Sequence, residues 1–331
     1  MVVKNFSVYN EAFGPVKEPT WTTPNKIILS NERIYLRDFS VGHDECATII
    51  ISPQAGHHSN IADYGQGNSL VEAVLNSGKK SVFVPEWRSA TLSRKNDTID
   101  DFILEMDKVI KFTECQKVNL IGLCQGGWQS AIYASLFPEK INSLILAAAP
   151  IDFKAGNGMI QTCAEFYSMM FYQDLVAMGR GNMKGSFMVI AFKMLNPMER
   201  FFGDYVDLYN NIEDEKFMDR YRKFRNWYEW TQDLPGEFYL RVVKELFKEN
   251  KLIKGEMNVL DKKVDLKNID CPLYLIAGEK DEITLKDQLF NIEDYVSSKV
   301  VEKMVVPAGH IGVFMGGEVL REYWPKILSK I

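Results

Sequence analysis

The sequence has 331 residues, of which 46% are hydrophobic and 25% charged, so it can bury a sizeable core and is not of a disordered type. A formal net charge of −5, without a dense Lys/Arg cluster, argues against a nucleic-acid-binding protein. The first residues lack the basic and apolar segments of a signal peptide, and no apolar run has the length of a membrane span. Together with five scattered cysteines, this pattern is typical of a cytoplasmic protein with reduced thiols.

Short apolar segments alternate with helical patterns along the first half of the chain. Two of them, Lys26–Leu29 and Ile34–Asp38, predict an opening hairpin. Aliphatic and β-branched runs predict buried parallel strands at Thr48–Ser52, Ser81–Pro85, Val118–Gly122, Ser143–Ala148, Leu273–Ala277 and Val300–Val306. Helical apolar spacing predicts helices at Ser69–Leu75, Ile99–Phe112, Gly126–Phe137 and Gly317–Ile327. This alternation indicates an α/β fold with a mostly parallel central sheet and helices on both faces.

The segment 151–257 interrupts this alternation. It is rich in methionine and aromatic residues, as in FYSMMFYQDL and RYRKFRNWYEW, and shows no strand–turn–strand pattern. We predict a core formed by residues 1–150 and 258–331, and a helical insertion, 151–257, that forms a cap (lid) over the functional site. Soft and aromatic side chains suit a surface that adapts to an apolar ligand. The alternative is that these helices simply enlarge the core.

The sequence Gly122-Leu123-Cys124-Gln125-Gly126-Gly127 lies between a predicted strand and a predicted helix. It is the G-x-S-x-G nucleophile elbow of the α/β-hydrolase fold with cysteine in place of serine. The glycines allow a strained turn, and the amides at the start of the helix stabilise a thiolate. Cys124 is therefore the candidate nucleophile. The other cysteines are expected to be small buried apolar side chains: Cys46, Cys115, Cys163 and Cys271.

The acid and the base of a triad should follow the nucleophile in that order. Three carboxylates, Glu279, Asp281 and Glu282, come just after the strand predicted at Leu273–Ala277 and compete for the role of the acid. His310 is the histidine that follows both the elbow and these carboxylates, on a loop after the last predicted strand. Position and order therefore make His310 the candidate base.

An acyl-transfer site also needs hydrogen-bond donors for the oxyanion. The backbone N–H of Gln125, directly after the nucleophile, is one candidate. A second should come from the loop after Thr48–Ser52, where we assign the N–H of Gln54 or Ala55. His57 and His58 follow in this loop and are candidates for lining the pocket. A tandem pair without a third ligand nearby is poor support for zinc, so we expect no metal site.

With these residues in place, the sequence resembles the intracellular polyhydroxybutyrate (PHB) depolymerases and the polyhydroxyalkanoate synthases, which share a Cys–His–Asp hydrolase core. The resemblance extends from about Ala47 to the end of the chain. GLCQGG is similar to the cysteine box of the synthases, and two segments resemble those that both groups place before it: Asn68–Glu72 and Glu86–Arg88. Three later segments look more like the depolymerases: Glu237–Leu240, Lys254–Met257 and Gly309–Gly316. The resemblance implies the catalytic residues Cys124, Asp281 and His310.

Two departures bear on the direction of the chemistry. Glu282 stands where the synthases typically have a histidine directly after the catalytic Asp, and a carboxylate there favours water as the acyl acceptor. The double glycine of the elbow instead matches the synthases. The leading expectation is thus a cysteine-dependent ester hydrolase that acts on poly- or oligo-3-hydroxyalkanoates through an acyl-enzyme.

The alternative is a synthase that transfers 3-hydroxyacyl groups from CoA to a growing polyester. A third interpretation is a catalytically silent, granule-associated binding protein. The expected partners are a polyester or oligoester substrate and a polymer granule surface, with no cofactor and no nucleic acid. The sequence predicts no particular oligomeric state.

Overall fold

The structure is a computed structural model that describes residues 2–198 and 203–331. In these ranges an eight-stranded sheet forms the centre of the molecule. Its strands are β1 Lys26–Ser30, β2 Ile34–Asp38, β3 Thr48–Ile51, β4 Val82–Trp87, β5 Val118–Leu123, β6 Ile141–Ala147, β7 Leu273–Gly278 and β8 Val301–Val306. Their order in space is β1-β2-β4-β3-β5-β6-β7-β8.

Most neighbouring strands of the sheet run parallel. The exceptions are β2 against β1 and β2 against β4, which are antiparallel. The predicted hairpin and the mostly parallel sheet are therefore confirmed. Because β3, β5, β7 and β8 are parallel, the loops that follow them emerge at one edge of the sheet. Those loops carry the predicted site residues.

Helices surround this sheet and fill the connection between β6 and β7. Those before β6 are α1 Val2–Phe13, α2 Leu70–Asn76, α3 Ile99–Phe112 and α4 Gln125–Leu136. Those between β6 and β7 are α5 Met159–Phe166, α6 Met169–Met178, α7 Gly185–Lys193, α8 Asp204–Asn211, α9 Glu215–Glu229, α10 Gly236–Arg241 and α11 Lys251–Lys254, with a π-helical segment at Val242–Lys248. Those after β7 are α12 Lys286–Phe290, α13 Gly312–Met315, α14 Gly317–Glu322 and α15 Trp324–Leu328. No helix in the described ranges is long and apolar enough to cross a membrane.

The last predicted helix, Gly317–Ile327, is divided in two. The break falls at Tyr323, and Pro325 lies in the first turn of α15. Proline has no N–H to donate to the preceding turn, so it is tolerated at the start of a helix and not in its interior. One continuous helix is therefore wrong here.

The sheet is buried on both faces. On one face, alternate strand residues such as Ile49, Leu120 and Leu144 pack against α3 and α4. On the other face, Ile50, Ile121 and Ile145 pack against α2 and the C-terminal helices α13–α15. Each fully buried aliphatic side chain of this kind stabilises the fold by roughly 1.5–3 kcal/mol relative to exposure. The prediction of helices on both faces is confirmed.

The predicted insertion, residues 151–257, is mainly helical where the structure describes it, with one departure from the prediction. Asn182–Met183 pairs with Leu234–Pro235 as a two-residue antiparallel ladder. Part of the segment is built into the core, because Phe238 and Leu246 lie in the same buried cluster as the sheet. The division into a core and a cap at residues 151 and 257 stays a prediction.

Candidate active site

Cys124 occupies a sharp turn between β5 and α4. Its backbone has φ 49° and ψ −116°, a conformation that costs a non-glycine residue of order 1–3 kcal/mol. Two hydrogen bonds hold it there: the Cys124 N–H donates to the Ala147 carbonyl at 2.9 Å, and the Gly127 N–H donates to the Cys124 carbonyl at 2.9 Å. The side chain is partly exposed. This is the geometry of the predicted nucleophile elbow.

The three glycines of the elbow are required by close contacts. A Cβ at Gly122 would lie 2.5 Å from the Cα of Gly127, and one at Gly126 would lie 2.1 Å from the carbonyl oxygen of Ile51. A Cβ at Gly127 would lie 2.2 Å from the Cβ of Ala149. Helix α4 therefore packs against the ends of β3 and β6 at distances that exclude side chains.

Asp281 is the carboxylate that meets the predicted base. Its Oδ2 lies 2.8 Å from Nδ1 of His310. Its Oδ1 accepts hydrogen bonds from the N–H groups of Ile283, at 2.9 Å, and Thr284, at 2.8 Å. Glu279 and Glu282 both have exposed side chains. Of the three competing carboxylates, the structure brings Asp281 to His310.

His310 also forms a side-chain hydrogen bond with Cys124, so Asp281, His310 and Cys124 make one continuous chain. Burial disfavours the charged imidazole, but the charges of Asp281 and Cys124 and the hydrogen bonds to both outweigh it and raise the pKa of His310 well above its ordinary value. Phe314 packs edge-on against the ring, with centroids 5.8 Å apart. The ring is thus fixed between an acceptor on one side and a thiol on the other.

The loop of residues 53–58, which we call the oxyanion loop, follows β3 and runs past the elbow. The Gln54 N–H donates to Oε1 of Gln125 at 3.0 Å, so it is not free to bind a substrate oxygen. The assignment of Gln54 as a donor does not fit this structure. Ala55 lines the same cavity as Cys124 and Gln125 and is the remaining candidate of the pair. Gln125 begins α4, where N–H groups have no partner within the helix.

His57 and His58 are buried but do not line the cavity, which corrects the prediction for both. The ring of His58 is fixed by Asn60, whose N–H lies 3.1 Å from Nδ1, and by Oε1 of Glu86, 3.1 Å from Nε2. His57 stacks on Trp227 with centroids 4.8 Å apart. Within the described ranges, no group of three or more His, Cys, Asp or Glu side chains is arranged to hold a metal ion.

A cavity of about 250 Å³ opens at Cys124. Most of its wall comes from apolar and aromatic side chains between β6 and β7, among them Met183, Met188, Phe192, Leu234, Phe238 and Phe247. A few polar side chains also line it: Gln125, Gln161, Tyr172, Tyr239, Thr284 and Gln288. The nucleophile therefore faces a mostly apolar space shared between the sheet and the helical segment.

Two features of the site were not predicted. One is the side chain of Gln125, which joins the elbow to the oxyanion loop. The other is the turn in which Asp281 binds the N–H groups of Ile283 and Thr284. Asp side chains often accept hydrogen bonds from backbone N–H groups two and three residues later, so this turn could have been predicted from the sequence. The first depends on a tertiary contact.

Comparisons with known proteins identify the family to which this chain belongs. Residues 34–331 match the family described as "Protein of unknown function (DUF3141)". The chain is 28% identical to the poly(3-hydroxyalkanoate) polymerase subunit PhaC of Synechocystis sp., over 92% of this chain and 83% of that protein. It is 27% identical to PhaC of Haloferax mediterranei, over 92% of this chain and 63% of that protein.

A solved structure shows the same fold. The monoacylglycerol lipase of Paleococcus ferrophilus matches with a TM-score of 0.57 and 17% identity, over 90% of this chain and 98% of that one. The predicted fold class and the predicted resemblance are both confirmed. The chain belongs to the family described as DUF3141, it has the α/β-hydrolase fold, and its sequence is similar to that of the polyhydroxyalkanoate polymerase subunit PhaC.

Proposed function

We propose that this protein transfers 3-hydroxyacyl groups from a thioester or ester to a hydroxyl acceptor through an acyl-enzyme on Cys124. The observation that carries the proposal is the hydrogen-bonded chain from Asp281 through His310 to Cys124, which ends at an apolar cavity. A nucleophile, a base and a group that orients the base, in that order, is the arrangement used in covalent acyl chemistry.

In the first half-reaction, the Cys124 thiolate attacks the acyl carbonyl carbon. The raised pKa of His310 supports an imidazolium beside the thiolate, so the proton that leaves the thiol resides on the ring. The tetrahedral intermediate collapses, the bond to the leaving group breaks, and His310 gives its proton to the departing thiolate or alkoxide. A thioester on Cys124 and a neutral His310 remain.

In the second half-reaction, His310 takes the proton of an acceptor hydroxyl, whose oxygen attacks the thioester. The acyl group leaves Cys124, the sulfur departs as thiolate, and the imidazolium is restored. Asp281 keeps Nδ1 of His310 protonated, so that the other ring nitrogen faces the reacting atoms. The oxyanion of both steps is bound by the N–H groups of Gln125 and Ala55.

The substrate class is argued from the cavity and the relatives. Its wall of methionine and aromatic side chains suits an aliphatic acyl chain. The relatives from Synechocystis sp. and Haloferax mediterranei are named as poly(3-hydroxyalkanoate) polymerase subunits. We propose a 3-hydroxyalkanoate ester or thioester as the acyl donor, and we propose that the segment 151–257 acts as a cap that encloses it.

The acceptor separates a polymerase from a hydrolase. Glu282, the residue that favoured water as the acceptor, has an exposed side chain, while both oxygens of Asp281 are occupied by other partners. Among the described residues, it is Asp281 and not Glu282 that forms the ion pair with His310. An apolar cavity excludes water, which lengthens the lifetime of a thioester until a hydroxyl acceptor arrives. These points favour transfer to a growing polyester.

Hydrolysis by a depolymerase-like activity is the second candidate. The observation in its favour is the fold likeness to a monoacylglycerol lipase together with the depolymerase-like segment Gly309–Gly316 around His310. Water in place of the hydroxyl acceptor would complete the same cycle and release a free acid.

The test is incubation with 3-hydroxybutyryl-CoA and, separately, with amorphous polymer, with the Cys124→Ala protein as the control. The proposal predicts sustained CoA release with accumulating oligomer or polymer, absent in the control. Free 3-hydroxy acid from preformed polymer, with no polymer from the CoA ester, would assign the hydrolase. No reaction with either substrate would leave a silent granule-binding protein and contradict both enzymes.

A further inference from the structure

The oxyanion loop is fixed from both sides by hydrogen bonds of its peptide groups. The Gln54 N–H donates to Oε1 of Gln125 at 3.0 Å. Two residues later, the Gly56 carbonyl accepts from the N–H of Gln232, which follows α9, at 2.9 Å. Gly56 has a φ of +84°, and a Cβ there would lie 3.3 Å from the Cβ of Met188 on α7. The loop is therefore held between the elbow and the helical segment.

His57 adds a third attachment. The pKa of His57 is lowered to about 4, because burial disfavours the charged ring more than a hydrogen bond between the ring and the backbone of Ala55 favours it. A bond that favours the protonated ring is one in which the ring N–H donates to a carbonyl oxygen. Nε2 has no partner among the described residues, so Nδ1 carries the proton. The neutral His57 thus fixes the Ala55 carbonyl.

Aromatic rings of the helical segment hold His57 in place. The ring is 9% exposed. It stacks on Trp227 of α9 at 4.8 Å and 18°, and on Phe192 of α7 at 5.9 Å and 28°. Tyr228 lies against it at 4.9 Å and 44°. Phe192 also lines the cavity at Cys124. The rings around His57 therefore connect this cavity to the oxyanion loop.

We infer that His57 is a positioning residue for the oxyanion hole: the aromatic rings of α7 and α9 hold its ring in place, and it fixes the peptide group that directly follows the Ala55 N–H. The peptide groups on either side of that N–H are bonded, to Gln125 before it and to His57 and Gln232 after it. In the part of the chain that the structure describes, the Ala55 N–H itself donates to no partner. It is the donor left over for an acyl oxyanion.

This inference rests on the proposed acyl chemistry of Cys124, and it separates two reactions of that thiol. Acylation by an ester passes through an oxyanion and depends on the oriented N–H groups. Alkylation by iodoacetamide displaces iodide from a saturated carbon and forms no oxyanion. A residue that acts through the oxyanion loop should change the first rate and not the second.

The experiment measures both rates on the full chain. The burst of p-nitrophenolate from p-nitrophenyl butyrate reports acylation, and mass spectrometry reports alkylation of Cys124 by iodoacetamide. His57→Phe keeps a stacking ring and removes the donor. We expect its acylation rate to fall by about tenfold to about a hundredfold, with alkylation unchanged. His43→Phe, the same change at an exposed histidine, is the matched control and should leave both rates unchanged.

A second pair of variants isolates the donor if the ring proves necessary for folding. His57→Asn and His57→Leu both lose the stack, but only Asn keeps an N–H near the position of Nδ1, so His57→Asn should acylate about tenfold faster. Equal acylation in this pair, wild-type acylation in His57→Phe, or a parallel loss of alkylation would overturn the inference. A wild-type protein without any burst would instead contradict the proposed chemistry itself.

Discussion

The backbone N–H of Gln54 donates a hydrogen bond to the side-chain oxygen of Gln125 over 3.0 Å. This bond joins the loop after β3 to the first residue of α4, directly after the nucleophile. Since the Gln54 N–H is occupied, the N–H groups of Gln125 and Ala55 are the two remaining candidates for the proposed oxyanion hole. The side chain of Gln125 therefore helps to hold the oxyanion loop next to the nucleophile.

The first prediction concerns this side chain. Gln125→Leu removes the acceptor, frees the Gln54 N–H and loosens the oxyanion loop, so kcat/KM should fall by about tenfold, below the full loss of an oxyanion donor. Steady-state rates with p-nitrophenyl butyrate check this. Gln129→Leu, one turn later on α4, is the matched control: Gln129 is buried, does not line the cavity, and its amide atoms have no partner among the described residues. If both variants retain wild-type rates, the bond does not support the site.

The second prediction concerns the acid. Asp281→Asn removes the charge that orients His310 and should lower kcat by several orders of magnitude, as in serine triads. Glu279→Gln and Glu282→Gln change exposed side chains and should have little effect. Rates for the three variants, with thermal unfolding as a check of the fold, decide the assignment. A larger loss in Glu282→Gln than in Asp281→Asn would show that Asp281 is not the acid.

Sequence patterns located the catalytic candidates because those residues lie on local motifs. The elbow requires a strand, three glycines and a helix in succession, and β5, Gly122, Gly126, Gly127 and α4 supply them. The strands were found because buried parallel strands are continuous apolar runs. Their ends shifted by one or two residues, as at β6, which begins at Ile141, because pairing with a neighbour extends a strand into polar residues.

The surroundings of the site could not be found in this way. The place of His57 depends on Trp227 and Phe192, which are distant in sequence and meet it only in the folded chain. The tandem histidines looked equivalent, yet His58 binds Asn60 and Glu86 while His57 packs among rings. Likewise, the exposure of Glu282 is set by the turn that Asp281 makes with Ile283 and Thr284. Such tertiary contacts leave no periodic signal.

The third prediction concerns pH. The pKa of His310 is raised in the folded protein, so its charged form contributes stability that is fully present below the unfolded value, about pH 6.5, and is lost as the pH rises through the folded value. His310→Gln lacks this contribution. The difference in Tm between wild type and His310→Gln should therefore be larger at about pH 6 than at about pH 9. Thermal unfolding at the two values checks this, and a difference that grows with rising pH would contradict the raised pKa.

The fourth prediction concerns the packing behind the nucleophile. A Cβ at Gly126 would lie 2.1 Å from the carbonyl oxygen of Ile51, a backbone atom that cannot move aside without displacing β3. Gly126→Ala should destabilise the fold by about 2–4 kcal/mol or displace the elbow and abolish activity. Gly158→Ala is the matched control, because its nearest neighbour would be 3.7 Å away. Denaturant unfolding and activity of both proteins are the measurements, and a fully active, fully stable Gly126→Ala protein would contradict the packing.

The central claim is that acyl groups pass through Cys124. The most direct measurement is intact-protein mass spectrometry after a brief incubation with 3-hydroxybutyryl-CoA and an acid quench, followed by peptide mapping. We expect one 3-hydroxybutyryl group per chain on the peptide that contains Cys124, released CoA in equal amount, and neither in the Cys124→Ala protein. A covalent group on another residue, or CoA release that persists in Cys124→Ala, would contradict the account.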